Sequence, residues 1–405
     1  MKSLLLLLLL VCSSAAGQPA PVAPAPGNTP EPQVSFARES KPHAYYVRQA
    51  ELWWQQVQHD LHSETNWYNY YRACRNAQGT ADWKEEFVRE SPALKLGADI
   101  VPLLKQHIPG TFTYYFVAGS TGGVASDGGL LLKAYQLNPD FEGIHATLVT
   151  YATTTGNDTL RRAVNQRWYT RQELSPGLLS YAYNVLHSLA PGAILLTEHD
   201  NDTYPLWLLQ DVLHVRPDVH VLNIDFLLDE SFRTRTFAQL HLEPLPLGQI
   251  HVNEYARNWE KVVHHLVTGY RLTQPLYLAM SMAPARYEGL TADLYPTGLA
   301  WRYSKTKIAT QALNCQLLEE QFLWDEVRQP LAYDRSAHFV QQLNRNYLPL
   351  LRECYHFYQR TKQPQRQQQV RQLVAAILAG IEPAAEREHA RQAFFSAAPV
   401  QSPQR

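Results

Sequence analysis

GAILLTEHDNDTYPLWLLQDVLHVRPDVHVLNIDFL, Gly192 to Leu227, decides how the centre of this chain folds. Ala193 to Thr197 is a short apolar run that follows the Pro191-Gly192 turn signal, and Val219 to Ile224 is a second. Both have strand length, sit between turn residues and lack alternation, the pattern of strands covered on both faces. A polar loop, Glu198-His199-Asp200-Asn201-Asp202, leaves the first run. Pro205 to Leu213 reads as a short helix with proline near its start. Arg216-Pro217-Asp218 then turns the chain. Strand, loop, helix, strand at this spacing predicts a βαβ unit with adjacent parallel strands and a right-handed crossover.

Working outward, Asn258 to Val267 predicts a helix and Leu276 to Met280 a third strand. Residues 191–303 therefore read as a small α/β domain with a mostly parallel sheet. Residues 35–190 carry helical periodicity. Tyr45, Val47, Leu52, Trp53, Val57 and Leu61 recur at three- and four-residue steps, and Ser63 is placed to cap the next helix. The aromatics Trp53, Trp54, Trp67, Tyr70 and Tyr71 share that spacing and read as core. LLKAYQLNPDFEG, with Tyr135, Leu137 and Pro139, resembles the end of a tetratricopeptide helix, which gives a helical-repeat-like reading of this region. Residues 304–381 read as C-terminal helical hairpins, and 382–405 as a flexible tail that frays after a short helix. The fold class expected is mixed and mainly α: tetratricopeptide-like helical hairpins around a small α/β layer.

The amino terminus reads as an export signal, residues 1–17. Lys2 precedes the apolar run Leu4 to Val11, and Ser13, Ser14, Ala15, Ala16 and Gly17 supply a small-residue cleavage site. That run is too short to cross a bilayer, which takes about 20 residues. Residues 18–34 form a Pro-rich linker, an extended spacer. The expected location is periplasmic or extracellular, with no transmembrane segment after signal cleavage. Lys+Arg number 36 against Asp+Glu 37 in a chain of 405 residues, a balance that argues against a nucleic-acid partner. Cys74, Cys315 and Cys354 remain after cleavage. Three widely spaced thiols are not a disulfide framework; one bridge is open to them, and buried free thiols are the blander reading.

The acidic loop is the candidate site. It lies beyond the carboxyl end of a predicted strand, where open α/β sheets bind ligands. Asp200, Asn201, Asp202 and Thr203 are candidate ligand contacts, and Glu198, His199, Asp200 and Asp202 offer oxygen and imidazole donors to a divalent cation. Asp225 ends the neighbouring predicted strand. The competing reading is structural: Asp202 or Thr203 caps the helix that begins near Pro205, and Asp200 ties the loop to backbone N–H groups. No catalytic residue is assigned and no cofactor is required. Ala118-Gly119-Ser120-Thr121-Gly122, after the β-like run Phe112 to Val117, matches a relaxed nucleophile elbow but lacks the following helix and any assignable partner. His264-His265 fall on different sides of a helix, and no His-Glu-x-x-His or paired Cys-x-x-Cys motif occurs.

Gly192 to Leu227, with QPLYLA at Gln274 to Ala279 and GLAWRY at Gly298 to Tyr303, resembles the soluble extracytoplasmic region of bacterial membrane proteins related to protein O-mannosyltransferases. The resemblance covers about 176–303. It departs at Glu198-His199, where the family usually has Asn-Gly, at Gln274, where it has Arg, and at Thr297, where it has Glu. The family's polytopic membrane region, which carries its sugar-transfer chemistry, has no counterpart here, so transferase activity is not carried over. The function expected is an exported envelope binding or scaffold protein, non-enzymatic, whose partner is an envelope protein or glycan in glycan or surface-protein assembly. The alternative is a metal-assisted hydrolase or glycan-processing transferase that uses the Glu198–Asp202 loop.

Overall fold

A computed structural model describes residues 29–81, 91, 93–95, 97–121, 126–250, 254–268 and 274–396. The export segment, the start of the spacer, Gly122 of the elbow-like motif, and the residues after Ser396 lie outside the described residues. The chain divides into two compact units, Pro19–Glu173 and one running from Leu174 to the C-terminus. The sequence reading drew its boundary at 190; the second unit also takes in the helix that leads into the sheet. Among the described residues no helix is long and apolar enough to cross a membrane.

The first unit is helical: α1 (His43–His59), α2 (Glu64–Thr80), α3 (Gly97–His107), α4 (Phe112–Ser120), α5 (Gly128–Leu137), α6 (Ile144–Thr155) and α7 (Asp158–Thr170). Neighbours in sequence pack as pairs, α1 on α2, α4 on α5 and α6 on α7. Helix starts are marked in the sequence. Ser63 accepts from the Asn66 N–H at 3.3 Å, as expected, and Thr111, Asp127 and Asn157 cap α4, α5 and α7 in the same way. Trp53, Trp67, Tyr70 and Tyr71 are buried, so the aromatic stripe is core.

Two expectations fail in this unit. Phe112 to Val117 is not β-like: β-branched and aromatic residues there sit in α4, started by the Thr111 cap, and Ser120 ends that helix instead of preceding one. The last residues of the 18–34 linker are not a free spacer. The Glu31 N–H donates to Gln49 Oε1 at 2.8 Å, the Gln33 N–H to Asn69 Oδ1 at 2.7 Å, and Trp53 Nε1–H to the Glu31 carbonyl at 2.8 Å. Buried Gln49, Asn69 and Asn76 thus satisfy an extended backbone that proline content alone marks as solvated.

In the second unit α8 (Pro176–His187) leads into β1 (Ile194–Thr197), α9 (Tyr204–Leu213) and β2 (His220–Asn223). Then come α10 (Glu230–Gln239), α11 (Tyr255–Thr268), β3 (Leu276–Ala279), β4 (Leu294–Thr297) and β5 (Ala300–Tyr303). The sheet order is β2-β1-β3-β5-β4. β1 pairs in parallel with β2 and β3, Leu196 lying opposite both Leu222 and Leu278; β5 pairs antiparallel with β3 and β4. β1, α9 and β2 form the predicted strand–helix–strand unit with adjacent parallel strands, and the whole is mainly α with a small α/β part. The antiparallel β4–β5 hairpin went unpredicted. Pro296, which cannot donate to a ladder, occupies the edge strand β4, where no donor is needed. Gly298 makes the turn at φ 56°, and a Cβ there would fall 2.1 Å from Ser188 Oγ, so only glycine fits.

The Arg216-Pro217-Asp218 turn is a clamp at the opposite edge of the sheet. Arg216 donates to the carbonyls of Leu186, Leu189 and Ala190 and pairs with Asp218 at 2.8 Å, while Asp218 accepts from the Gly192 N–H. The guanidinium holds the Asp218 carboxyl well below the usual range. Helices return in α12 (Gln311–Gln316), which runs into a π-turn at Leu317–Gln321, and in α13 (Asp325–Arg328), α14 (Ala337–Asn344), α15 (Leu348–Arg360) and α16 (Pro364–Ala379). The short helix read at the start of the 382–405 tail is present. α17 (Ala384–Phe395) is a helix, and buried Phe394 packs edge-on against Tyr355.

Candidate functional site

β1, β2 and β3 run in one direction and end at one edge of the sheet. From β1 the chain crosses by α9 to β2 on one side; beyond β3 it continues to the β4–β5 hairpin on the other. The switch point therefore falls between β1 and β3, the place where open α/β sheets form a ligand crevice. Two loops meet there: Glu198 to Thr203 leaving β1, and Ser281 to Arg286 leaving β3.

The crevice is occupied by the chain's own side chains. Glu198 is 2% exposed, and its carboxylate accepts from the Ala283 N–H at 2.7 Å and from Arg286 Nε at 2.7 Å. The Arg286 guanidinium in turn lies 4.1 Å from the centre of the Trp259 ring. Asp202 is buried as well. It accepts from the His199 N–H at 2.8 Å, the Glu198 N–H at 3.3 Å and the Ser281 hydroxyl at 2.6 Å. Below it, Thr203 Oγ1 sits 2.7 Å from Thr197 Oγ1 and accepts from Asn223 Nδ2 at 3.0 Å, tying the ends of β1 and β2 together.

The structural reading of the loop is thus right in kind and wrong in detail. Thr203 occupies the N-cap position of α9 but makes no side-chain cap bond there. Asp202 does not cap α9 either. The short 3₁₀ turn Asp200–Asp202 points its carboxylate back toward β1, so it binds the two N–H groups that precede the turn. Asp202 thereby ties the loop to backbone. Asn201 is half-buried, and His199 and Asp200 are exposed. Glu198, His199, Asp200 and Asp202 do not converge on one point. Among the described residues no group of three or more His, Cys, Asp or Glu side chains has the geometry to hold a metal ion. His264 and His265 point apart, their Nε2 atoms lying 3.2 Å from the Glu288 carbonyl and 3.0 Å from that of Glu243.

Crowded carboxylates in a buried place shift their proton affinities. Burial raises the Asp202 carboxyl above its ordinary value, with the Ser281 hydroxyl and the nearby His199 pulling it back. Asp225, one residue beyond Ile224 at the end of β2, goes further. Burial pushes its carboxyl up to about 7; His199 opposes this, and Glu198, Asp200 and Asp202 add to it. That places the Asp225 carboxyl near neutrality. The sequence reading placed it at the strand end without assigning it a role. Ser281, Arg286 and Trp259 were missed altogether. The available signal was positional: Ser281 follows the third apolar run as closely as Glu198 follows the first.

A family model described as TMEM260-associated domain 2 matches residues 178–265. That span runs from α8 through β1, the acidic loop and β2 into α11, and stops before β3 and the Ser281–Arg286 loop that completes the crevice. No curated protein and no solved structure matches the chain.

Proposed function

We propose that the chain is an exported, non-enzymatic binding or scaffold protein of the cell envelope, acting beside glycan or surface-protein assembly. The observation that carries this reading is the state of the crevice: Glu198 and Asp202, its two buried carboxylates, are already bonded to Arg286, Ser281 and three backbone N–H groups. Those donors hold the β1 and β3 loops together. A crevice closed in this way favours a rigid recognition surface over a reaction chamber. The resemblance of 176–303 to the extracytoplasmic region of protein O-mannosyltransferase-related membrane proteins supports the setting, and the match to TMEM260-associated domain 2 is consistent with it. The test is affinity capture from envelope extract, with mass spectrometry of proteins and glycans. A discrete partner or glycan retained in chelator supports the reading. Hydrolysis or sugar transfer by the purified chain, dependent on a divalent ion, overturns it.

The second reading, a metal-assisted hydrolase or glycan-processing transferase, is favoured by Asp225. An acid that titrates near 7 beside other carboxylates is the kind of group that catalysis employs. In that case Asp225→Asn abolishes turnover while binding survives.

A further inference from the structure

Cys315 and Cys354 lie far from the crevice, on α12 and α15, and their Sγ atoms are 2.9 Å apart. Both are buried. Their juxtaposition is held from both sides. One residue earlier, Asn314 Nδ2 donates to Glu353 Oε2 at 2.7 Å; four residues later, the Tyr358 hydroxyl donates to Glu319. All three pairs share the same sequence separation of 39, the register of two segments running side by side in one direction. Glu319 stands in the π-turn, where the widened backbone carries the register past the end of α12, and Arg366 from α16 pins it at 2.6 Å. The sulfurs therefore meet inside a fixed lattice of polar bonds, within 1 Å of the S–S bond length of about 2.05 Å.

We propose that Cys315 and Cys354 are a redox pair that closes into a disulfide, stapling α12 to α15 when the chain meets a disulfide oxidant. The oxidant is of the thiol–disulfide exchange class, a small-molecule disulfide or a protein disulfide. The Cys315 thiolate attacks one sulfur of the oxidant and releases the other as a thiol, with Cys315 left in a mixed disulfide. The Cys354 sulfur then attacks Cys315 Sγ and expels the second thiol. The protein gives up two electrons and two protons, and the oxidant's S–S bond becomes two thiols. The chemistry suits this order. The hydrogen bond shared with Cys354 draws the Cys315 thiol below its ordinary value, the condition for the attacking sulfur. Burial pushes the Cys74 thiol, in the N-terminal unit, up to about 12, and it stays inert. The inference stands apart from the acidic loop and from the function proposed for it.

The test uses the full chain, reduced and then incubated with oxidised glutathione, followed by alkylation in denaturant and peptide mapping without reductant. The expected product is one linked peptide pair, Cys315 with Cys354, with two hydrogens lost from the intact mass and Cys74 alkylated. The oxidised form is expected to melt on the order of 5–10 °C above the reduced form. Cys74→Ser keeps that difference, and Cys315→Ala with Cys354→Ala removes it. Alkylation of both Cys315 and Cys354 after oxidation, or a link from either to Cys74, overturns the proposal. So does a thermal difference that persists in the double variant.

Discussion

Replacing Arg286 by Leu tests the account of the crevice directly. The substitution keeps an apolar body near Trp259 and removes the guanidinium. Glu198 is left with the Ala283 N–H as its bonded donor, at 2% exposure. An ion pair broken on one side strands a buried charge, which costs about 3–5 kcal/mol. Arg286 itself is 17% exposed, so water can reach part of the vacated space and the lower half of that range applies. For a unit of this size that is a fall in melting midpoint of about 6–15 °C at ~2–4 °C per kcal/mol. The assay is a thermal and urea double-mutant cycle with Glu198→Gln. The neutral amide does not need the arginine, so the double variant should lose less than the sum of the singles, by about 1.5–3 kcal/mol. The deficit should also survive high salt, because screening acts weakly on a buried pair. A variant that melts within a degree of wild type, or a strictly additive cycle, refutes the claim that this bond holds the β1 and β3 loops together.

Ser281→Ala removes a 2.6 Å donor to the buried Asp202 and should cost about 1.5–3 kcal/mol in urea unfolding, with Asp202→Asn partly suppressing the effect. The Asp225 carboxyl is raised from 3.8 to about 7, so the folded state holds a proton that the unfolded chain has released. Its stabilising contribution is complete below about pH 4 and lost as pH rises to about 7, so the stability of wild type relative to Asp225→Asn should fall across that window by a few kcal/mol; a flat difference refutes it. Gly298→Ala places a Cβ against Ser188 at positive φ and should destabilise by at least about 1–2 kcal/mol, measured by thermal melting, with Ser188→Gly restoring part of the loss. Calcium, magnesium or manganese against chelator should leave the wild-type melt unmoved; a shift that the Asp200→Ala, Asp202→Ala variant loses would falsify the closed-crevice reading.

What could be read from the sequence was what depends on near neighbours. Ser63 as a cap, Pro205 at a helix start and the two apolar runs around the acidic loop each report a local event, and each is where the pattern put it. Failures occur where a distant partner decides. The Asp202 carboxylate had two local choices, forward to α9 or back to β1. The Ser281 hydroxyl, 79 residues away, completes the backward one. Glu198 looks like a metal ligand until Arg286, 88 residues on, neutralises it. Phe112 to Val117 has β-prone residues and is helical, because the Thr111 cap and packing on α5 outweigh intrinsic preference. The spacer misleads for the same reason in reverse: its prolines forbid a helix, but three buried amides elsewhere supply the partners an extended chain requires.

The crevice also explains why its acids are not equivalent. Glu198 has a full positive charge against it, and Asp202 has a hydroxyl and two N–H groups. Asp225 sits among the same negative neighbours with His199 as the opposing charge, and that imidazole lies at the exposed end of the loop. The carboxylates that hold the two loops thus have their donors within the chain, and burial raises the one at the end of β2 to about 7. A ligand that brings positive charge or a hydrogen-bond donor to this edge bears on the raised Asp225 carboxyl. A binding event there should take up or release a proton near neutrality, and calorimetry in buffers of different ionisation enthalpy would register it. Binding whose heat is the same in every such buffer would place the recognition surface elsewhere on the chain.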